Sequence, residues 1–268
     1  MGNDLGQSGV TLAAGLVAIV VLMGVTMLWA VRRRHLSVVD TLWGLGFVVV
    51  AVVAAVAVPG VDGDPLARWL LLVLPGVWGL RLAWHLHRRN SGKPEDPRYV
   101  DLVERSGGEG DLVRIAAAKV FGPQALVMFL VATPLMVGVN NDHLPVWLAV
   151  LGALVWLVGF VFESVGDAQL AAFKADPQNQ GQVMDRGLWR YTRHPNYFGD
   201  ACVWWGIWLV AASSWAGLVT VVGPLAMTYF LAGKTGKPLT EASMSRSKPG
   251  YADYVRRTSG FLPLPPRG

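Results

Sequence analysis

The chain has 268 residues, of which 53% are hydrophobic and 15% are charged, and its formal net charge is +5. A soluble domain carries nearer a quarter charged residues, so this composition excludes water as the only solvent and indicates a membrane protein. The single cysteine, Cys202, excludes an internal disulfide and a thiolate metal cage, and we expect no metal site.

Apolar runs long enough to cross a bilayer recur along the whole chain. A transmembrane helix needs roughly 20 predominantly apolar residues. Seven stretches qualify, at about 10–31, 38–58, 66–86, 114–138, 144–165, 197–213 and 215–233. The last two are separated only by two serines and are typical of a tight helical hairpin. The sequence therefore predicts an all-α integral membrane protein, a bundle of seven transmembrane helices in a single domain covering residues 1–268.

The basic residues predict how this bundle is oriented. With the N-terminus outside, 20 of the 23 Lys and Arg residues fall in the predicted cytoplasmic segments. Positive residues concentrate on the cytoplasmic side of membrane proteins, so we expect an outside N-terminus and a cytoplasmic C-terminus. The basic excess is explained by topology, and we expect no nucleic-acid partner.

Two groups of ionisable residues lie within the predicted spans of the first half. Asp40 stands at the start of the second span, where it is either a helix-start carboxylate favoured by the helix dipole or a buried acid that donates a hydrogen bond. Arg81 and His85 lie four residues apart near the end of the third span, on one helical face. Ionisable groups at membrane depth are costly and indicate a functional site.

The second half carries a denser set of polar residues. Glu163, Asp167 and Lys174 lie at and just after the end of the fifth span, where they are candidates for binding a polar ligand. For Asp167 the alternative is a solvated surface position. Residues 187–200, Gly-Leu-Trp-Arg-Tyr-Thr-Arg-His-Pro-Asn-Tyr-Phe-Gly-Asp, then combine cationic, aromatic and amide groups. Arginines here are suited to phosphates and an amide to a ribose or carboxamide, and Pro195 suits the first turn of the next helix. The alternative is a juxtamembrane aromatic and basic anchor.

This motif resembles the C-terminal signature of the steroid 5α-reductase superfamily. The chain as a whole resembles the bacterial DUF1295 branch of that superfamily, through five further parts of the sequence: Asp40–Phe47, Arg81–Arg89, Lys93–Tyr99, Phe162–Pro177 and the closing Gly233–Tyr254 segment. The resemblance implies a membrane reductase that uses NADPH to reduce a carbon–carbon double bond in a lipid. It implies a cofactor held without a Rossmann fold by residues 140–268, with residues 1–139 lining the substrate cavity. It also implies the bacterial inner (plasma) membrane, with the active site facing the cytoplasm and with a small lipid substrate and membrane lipids as partners.

The resemblance also assigns candidate site residues. Asp40 and His85 are the candidate catalytic donors, because steroid reductases place a Glu in the second helix and a Tyr in the third, and the third span here has no Tyr. The candidate cofactor-binding residues are Arg81, Glu163, Asp167, Lys174, Arg190, Tyr191, Arg193, His194, Asn196, Tyr197, Asp200 and Glu241. Sterol-like enones, polyprenoids and fatty acyl chains all suit the predicted apolar cavity, so the substrate stays open.

Two other functional classes compete with a reductase. A membrane methyltransferase that uses S-adenosylmethionine shares the Arg-His-Pro-Asn-Tyr element but usually has a Glu-Glu pair in its closing segment, where this chain has only Glu241. A transporter or a non-enzymatic scaffold is the second alternative. A transporter would carry charges along a path across the bundle, and here the charges gather at one face.

Overall fold

The computed structural model describes residues 5–57 and 63–267, and within them the chain is helical with no β-strand. The helices are α1 Leu5–Arg33, α2 Val38–Val56, α3 Pro65–Asn90, α4 Pro97–Glu104, α5 Leu112–Ile115, α6 Gly122–Val131, α7 Thr133–Gly138, α8 Val146–Ala175, α9 Pro195–Ala211, α10 Trp215–Val219, α11 Val222–Thr228, α12 Lys237–Ser247 and α13 Tyr251–Arg257. The prediction of an all-α fold is confirmed for this part of the chain.

Six helical segments in the described residues are long and apolar enough to cross a membrane. They are Leu5–Arg33, Val38–Val56, Pro65–Asn90, Leu112–Val131, Val146–Ala175 and Trp215–Ser247. The chain is therefore an integral membrane protein. The remaining predicted span, 197–213, corresponds to α9, whose 17 residues are fewer than the roughly 20 of a typical crossing. The seventh crossing and the orientation stay predictions.

Several helix boundaries differ from those expected, and proline explains two of the differences. The predicted stretch 215–233 is interrupted after α10, because Pro224 has no N–H and its ring would clash with the carbonyl four residues earlier. The segment before Pro123 widens into a π-helical turn over Ala116–Phe121 for the same reason. By contrast, α8 continues ten residues beyond the predicted end at 165, to Ala175.

The first compact unit of the fold comprises Met1–Ala149 and Ile207–Gly223. Its helices α2 and α3 approach closely, and a Cβ atom at Gly79 would lie 2.5 Å from the carbonyl oxygen of Gly44. Small residues permit such backbone contact between membrane helices, where van der Waals packing replaces the hydrophobic effect. Asp64 caps α3 through Oδ1, which accepts from the Leu66 and Ala67 amides, while Oδ2 accepts from Leu144. The start of α3 is thereby fastened to the chain before α8.

The second compact unit comprises Val150–Gly206 and Pro224–Gly268. Here α8 and α9 pack in the same manner, since a Cβ atom at Gly159 would lie 2.5 Å from the carbonyl oxygen of Gly199. The connection between the two helices returns along α8, where the Trp189 indole donates to the carbonyl of Gly166 at 3.0 Å. This close packing sets the polar residues of α8 beside those of α9.

Replacing Gly79 by alanine tests the α2–α3 packing. The added methyl group has no space against the Gly44 carbonyl, so we expect a loss of about 1–3 kcal/mol in the free energy of unfolding. Gly76→Ala in the same helix is the matched control, because no atom lies within 4 Å of a Cβ there. Thermal unfolding of both variants in detergent makes the comparison, and equal midpoints would contradict this packing.

Candidate functional site

The start of α2 is capped from a distant part of the chain. The Ser37 amide donates to Glu95 Oε1 at 3.1 Å, and the Leu36 amide donates to the same carboxylate. The first amides of a helix lack intrahelical partners and carry partial positive charge, which a carboxylate satisfies. Glu95 precedes α4 directly, so this cap fixes the first turn of α4 beside the first turn of α2.

Asp40 is the centre of the polar contacts made there, which we call the Asp40 cluster (Asp40, Asp96, Arg98 and Tyr99). The Arg98 guanidinium donates to Asp40 Oδ2 at 2.8 Å, and the Tyr99 hydroxyl donates to Asp40 Oδ1 at 2.7 Å. Asp96 caps α4 through the Arg98 amide and also accepts from Arg98 Nε and Nη2, at 3.0 and 2.9 Å. The guanidinium is thus held between two carboxylates, with Asp40 18% exposed.

The hydrogen-bond donors to Asp40 in this cluster are Tyr99 and Arg98. Burial, together with the negative charge of Asp40, raises the pKa of the Tyr99 phenol above its usual range, so that it stays protonated at neutral pH. The hydrogen bond from Arg98 is the largest cause that lowers the pKa of Asp96. Both oxygens of Asp40 accept hydrogen bonds in this structure, and its role as a catalytic donor stays a prediction.

Tyr99 is a member of the Asp40 cluster that contacts Asp40 directly and that the sequence did not single out. The expected position for a tyrosine was the third span, and Tyr99 lies beyond its end, in α4. The signal was the Pro-Glu-Asp-Pro-Arg-Tyr segment, whose Asp-Pro pair marks a helix start. Arg81 and His85 occur on α3 of the same unit, four residues apart and half-exposed, and both make contacts there.

The second unit contains a buried ion pair, which with its neighbour we call the Glu241 clamp (Arg193, His194 and Glu241). Arg193 Nε and Nη2 donate to Glu241 Oε1 at 2.9 and 2.8 Å, and His194 Nε2 lies 3.1 Å from the same oxygen. Arg193 Nη1 donates to the carbonyls of Thr258 and Val255, at 2.6 and 3.2 Å. These protein contacts occupy most of the donors that Arg193 would need to bind a phosphate directly.

The chain after α13 holds the motif around the clamp in place. The Arg193 amide donates to the Ser259 carbonyl at 2.9 Å, and the Thr192 hydroxyl donates to the Phe261 carbonyl at 2.8 Å. The Leu264 amide donates to the Tyr191 carbonyl at 3.0 Å. On the other side of the clamp, the Tyr197 ring stacks on His194 with centroids 5.2 Å apart. The segment before α9 is therefore fixed by the C-terminal residues.

A row of polar groups continues from this motif along α8 and α9. Glu163 and Asp167, 3% and 7% exposed, are one turn apart on α8, and Asn196 and Asp200 are one turn apart on α9. Asn196 Nδ2 donates to Asp167 Oδ1 at 3.2 Å. Buried carboxylates are costly unless they are paired, and Glu163, Asp167 and Asp200 all make contacts within the protein, so the row stays a candidate site for a polar ligand.

These residues fit a nicotinamide dinucleotide in two ways. The carboxylates and the amide of the row are suited to ribose hydroxyls and a carboxamide, and they would repel phosphates. Cations suited to phosphates are at the exposed surface of the same unit, in Lys174 at the end of α8 and in Arg190, beside the exposed Tyr191 ring. The predicted residues of the second unit thus divide into a polar row, a positioning clamp and a basic surface.

The chain matches one protein family and is similar to one curated protein in part of its length. A family model described as "Protein of unknown function (DUF1295)" matches residues 19–258. A curated relative, "Steroid 5-alpha-reductase DET2" of Arabidopsis thaliana, is 37% identical over 73 residues. That stretch covers 27% of this chain and 27% of the relative. No solved structure matches.

Replacing Glu241 by glutamine tests the clamp. Glutamine keeps the shape but leaves Arg193, 8% exposed, without its anionic partner, and we expect a loss of about 1–3 kcal/mol in the free energy of unfolding. Asp101→Asn removes the partner of Arg105 from an exposed pair and should cost less than about 1 kcal/mol. If thermal unfolding shows equal losses for the two variants, the clamp is not a buried ion pair.

The clamp also predicts a pH dependence of stability. Burial lowers the pKa of His194 to about 4, outweighing the opposing hydrogen bond with Glu241. Because an unfolded histidine titrates near about 6.5, stability is complete above that pH and falls by about 2–3 kcal/mol as the pH is lowered toward 4. We expect His194→Gln to lose less stability than the wild type between these pH values.

The control for this titration is His87→Gln, which replaces an exposed histidine of α3. Melting midpoints are measured for the three proteins from pH 7 to pH 4. A His194→Gln curve parallel to that of the wild type would rule out His194 as the source of the pH dependence.

Proposed function

Because the chain belongs to the DUF1295 family, within the steroid 5α-reductase superfamily, we propose that it is a membrane-embedded, NADPH-dependent reductase of a carbon–carbon double bond in a lipidic substrate. The observation that carries the proposal is the Tyr99 hydroxyl held 2.7 Å from Asp40. A protonated phenol fixed by a carboxylate is suited to polarise a carbonyl conjugated to an alkene.

The Tyr99 hydroxyl has a single proton, which forms the hydrogen bond to Asp40 in this structure. In the proposed reaction the hydroxyl turns from Asp40 and donates this hydrogen bond to the carbonyl oxygen of the substrate. Its raised pKa keeps the proton on the phenol, and Asp40 with Arg98 fixes the position of the ring. Negative charge that develops on the carbonyl oxygen is stabilised by this preorganised donor. NADPH, when bound, would supply a hydride for the β-carbon, and a proton taken from water at the α-carbon would complete the reduction of the double bond. His85 stays the second candidate donor.

The cofactor is assigned to the second unit. Asp167, Asn196 and Asp200 are the proposed partners of its hydroxyl and carboxamide groups, with Glu163 beside them. Lys174 and Arg190 are the proposed phosphate partners, and the Tyr191 and Tyr197 rings offer stacking surfaces. Arg193, His194 and Glu241 support this arrangement as positioning residues, while Arg81, in the first unit, stays a candidate.

The proposed topology has seven crossings, with α9 as the short one. The N-terminus lies outside and the C-terminus in the cytoplasm, because 20 of the 23 Lys and Arg residues then face inward. The inner membrane of a bacterium is the proposed location. NADPH is a cytoplasmic reductant, so this orientation supports a cofactor site among the inward-facing segments.

The test combines binding and turnover on the purified protein in detergent. NADPH bound to the native state should raise the melting midpoint, whereas S-adenosylmethionine should not. Tyr99→Phe should lower kcat by about 100-fold to 1000-fold for the best substrate among progesterone, a polyprenal and an α,β-unsaturated fatty acyl thioester. Its stabilisation by NADPH should be unchanged, because the change removes only the phenolic donor.

Two controls accompany this experiment. Tyr229→Phe removes an exposed hydroxyl from the π-helical turn Tyr229–Lys234 and should keep wild-type turnover. Asp40→Asn should lower kcat without abolishing NADPH binding. Stabilisation by S-adenosylmethionine alone would replace the reductase with a methyltransferase, and full turnover by Tyr99→Phe would exclude Tyr99 as the donor.

A further inference from the structure

The second unit carries a basic pocket that neither the clamp nor the polar row explains. It has a volume of about 570 Å³ and is lined by four arginines and a single acidic residue. The lining side chains that carry charge are Arg186, Arg190, Arg257, Arg267 and Asp185. The arginines come from three separate parts of the chain: the segment before α9, the end of α13 and the C-terminal segment.

The positive charge of this pocket is largely uncompensated. Asp185 is paired with Arg257 at 2.8 Å, and Arg257 also contacts Asp253 at 3.1 Å. Within residues 5–57 and 63–267, the side chains of Arg186, Arg190 and Arg267 form no ion pair or hydrogen bond. The Arg267 amide donates to the Arg257 carbonyl at 2.9 Å, which fastens this arginine at the pocket. Convergent like charges of this kind favour an anionic ligand.

The chemistry of the lining selects a phosphate group. Guanidinium groups present a planar set of donors that matches phosphate oxygens, and several of them around one cavity can neutralise a phosphate with hydrogen bonds on different sides. The volume is large for a single inorganic phosphate and lies in the range of small-molecule pockets. A phosphate attached to a larger group is therefore the better match.

Exposed apolar side chains in the same segments of the chain as these arginines indicate where that larger group comes from. The Leu264 amide binds the Tyr191 carbonyl next to Arg190, and Leu264 is 50% exposed. Leu262 and Tyr191 are exposed to a similar degree. Arginines flanked by exposed aliphatic and aromatic side chains are suited to the interface of a membrane, where headgroup and acyl chain meet.

We propose that the pocket lined by Arg186, Arg190 and Arg267 binds the phosphate of an anionic lipid headgroup. The lipid contacts the chain through this phosphate, while Leu262 and Leu264 lie against its glycerol and proximal acyl chain. Arg190 is shared with the proposed cofactor site, so the test of this proposal changes only Arg186 and Arg267.

The test uses the full-length protein in detergent and short-chain phosphatidylglycerol, with phosphatidylcholine of the same acyl chains as the zwitterionic reference. Phosphatidylglycerol should raise the melting midpoint and phosphatidylcholine should not. The double variant Arg186→Gln/Arg267→Gln should weaken the binding of phosphatidylglycerol by about tenfold or more. Arg190 is left intact, so that the response to NADPH reports only on the cofactor site.

The matched control is Arg114→Gln/Arg246→Gln, which removes the same charge from two exposed arginines outside the pocket and should bind phosphatidylglycerol as the wild type does. Unliganded midpoints of both double variants show that they are folded. Equal binding of phosphatidylglycerol by all three proteins would overturn the proposal, as would equal effects of the two lipids.

Two soluble probes identify the source of the phosphate. Inorganic phosphate at matched concentration should give no stabilisation that depends on Arg186 and Arg267. NADPH should stabilise the pocket variant as it does the wild type. A loss of NADPH stabilisation with unchanged phosphatidylglycerol binding would assign the pocket to the nucleotide and overturn the lipid assignment.

Discussion

The ion pair between Arg193 and Glu241 is the interaction on which the second unit of this protein depends. One guanidinium connects the segment before α9 to helix α12 through Glu241, and to the end of α13 through the Val255 and Thr258 carbonyls. An arginine that is 8% exposed is stable only while these acceptors stay in place. These three parts of the sequence, which are distant from one another, must therefore be in contact before the surrounding residues can bind a ligand.

A similar constraint acts on Asp40 in the first unit. Its carboxylate is satisfied by Arg98 and Tyr99, which are brought there because Glu95 caps the first amides of α2. Three consecutive contacts lead from the α3–α4 connection to Asp40. Glu95 caps the start of α2, and Asp96 caps α4 and accepts hydrogen bonds from Arg98. Arg98 in turn donates to Asp40. The phenol of Tyr99 receives its position from this chain of contacts.

The sequence predicted the helices well because length and hydropathy decide which segments enter a bilayer. It also predicted that Pro195 begins α9, and it set Asp167 and Asn196 among the site residues. It could not show that Asn196 donates to Asp167, since the contact depends on α8 continuing to Ala175 and on the glycine packing of α8 against α9. The sequence also could not predict the ion pair between Arg193 and Glu241. A basic residue in a motif gives no indication of whether its partner is a ligand or a carboxylate elsewhere in the chain. Tyr99 was missed because it follows the third span.

The arrangement of protons around Asp40 also narrows the substrate within the proposed reaction. Tyr99 and Arg98 are both donors, and Asp40 accepts from both of them. The Tyr99 hydroxyl has one proton, so a substrate group that takes the place of Asp40 as its partner must accept a hydrogen bond. A carbonyl meets this condition, and a hydroxyl acting as a donor does not. Only an alkene conjugated to such an acceptor becomes electrophilic when the acceptor is polarised. The cluster therefore favours enones, enals and unsaturated acyl esters or thioesters, and it disfavours an allylic alcohol or an isolated polyprenyl alkene.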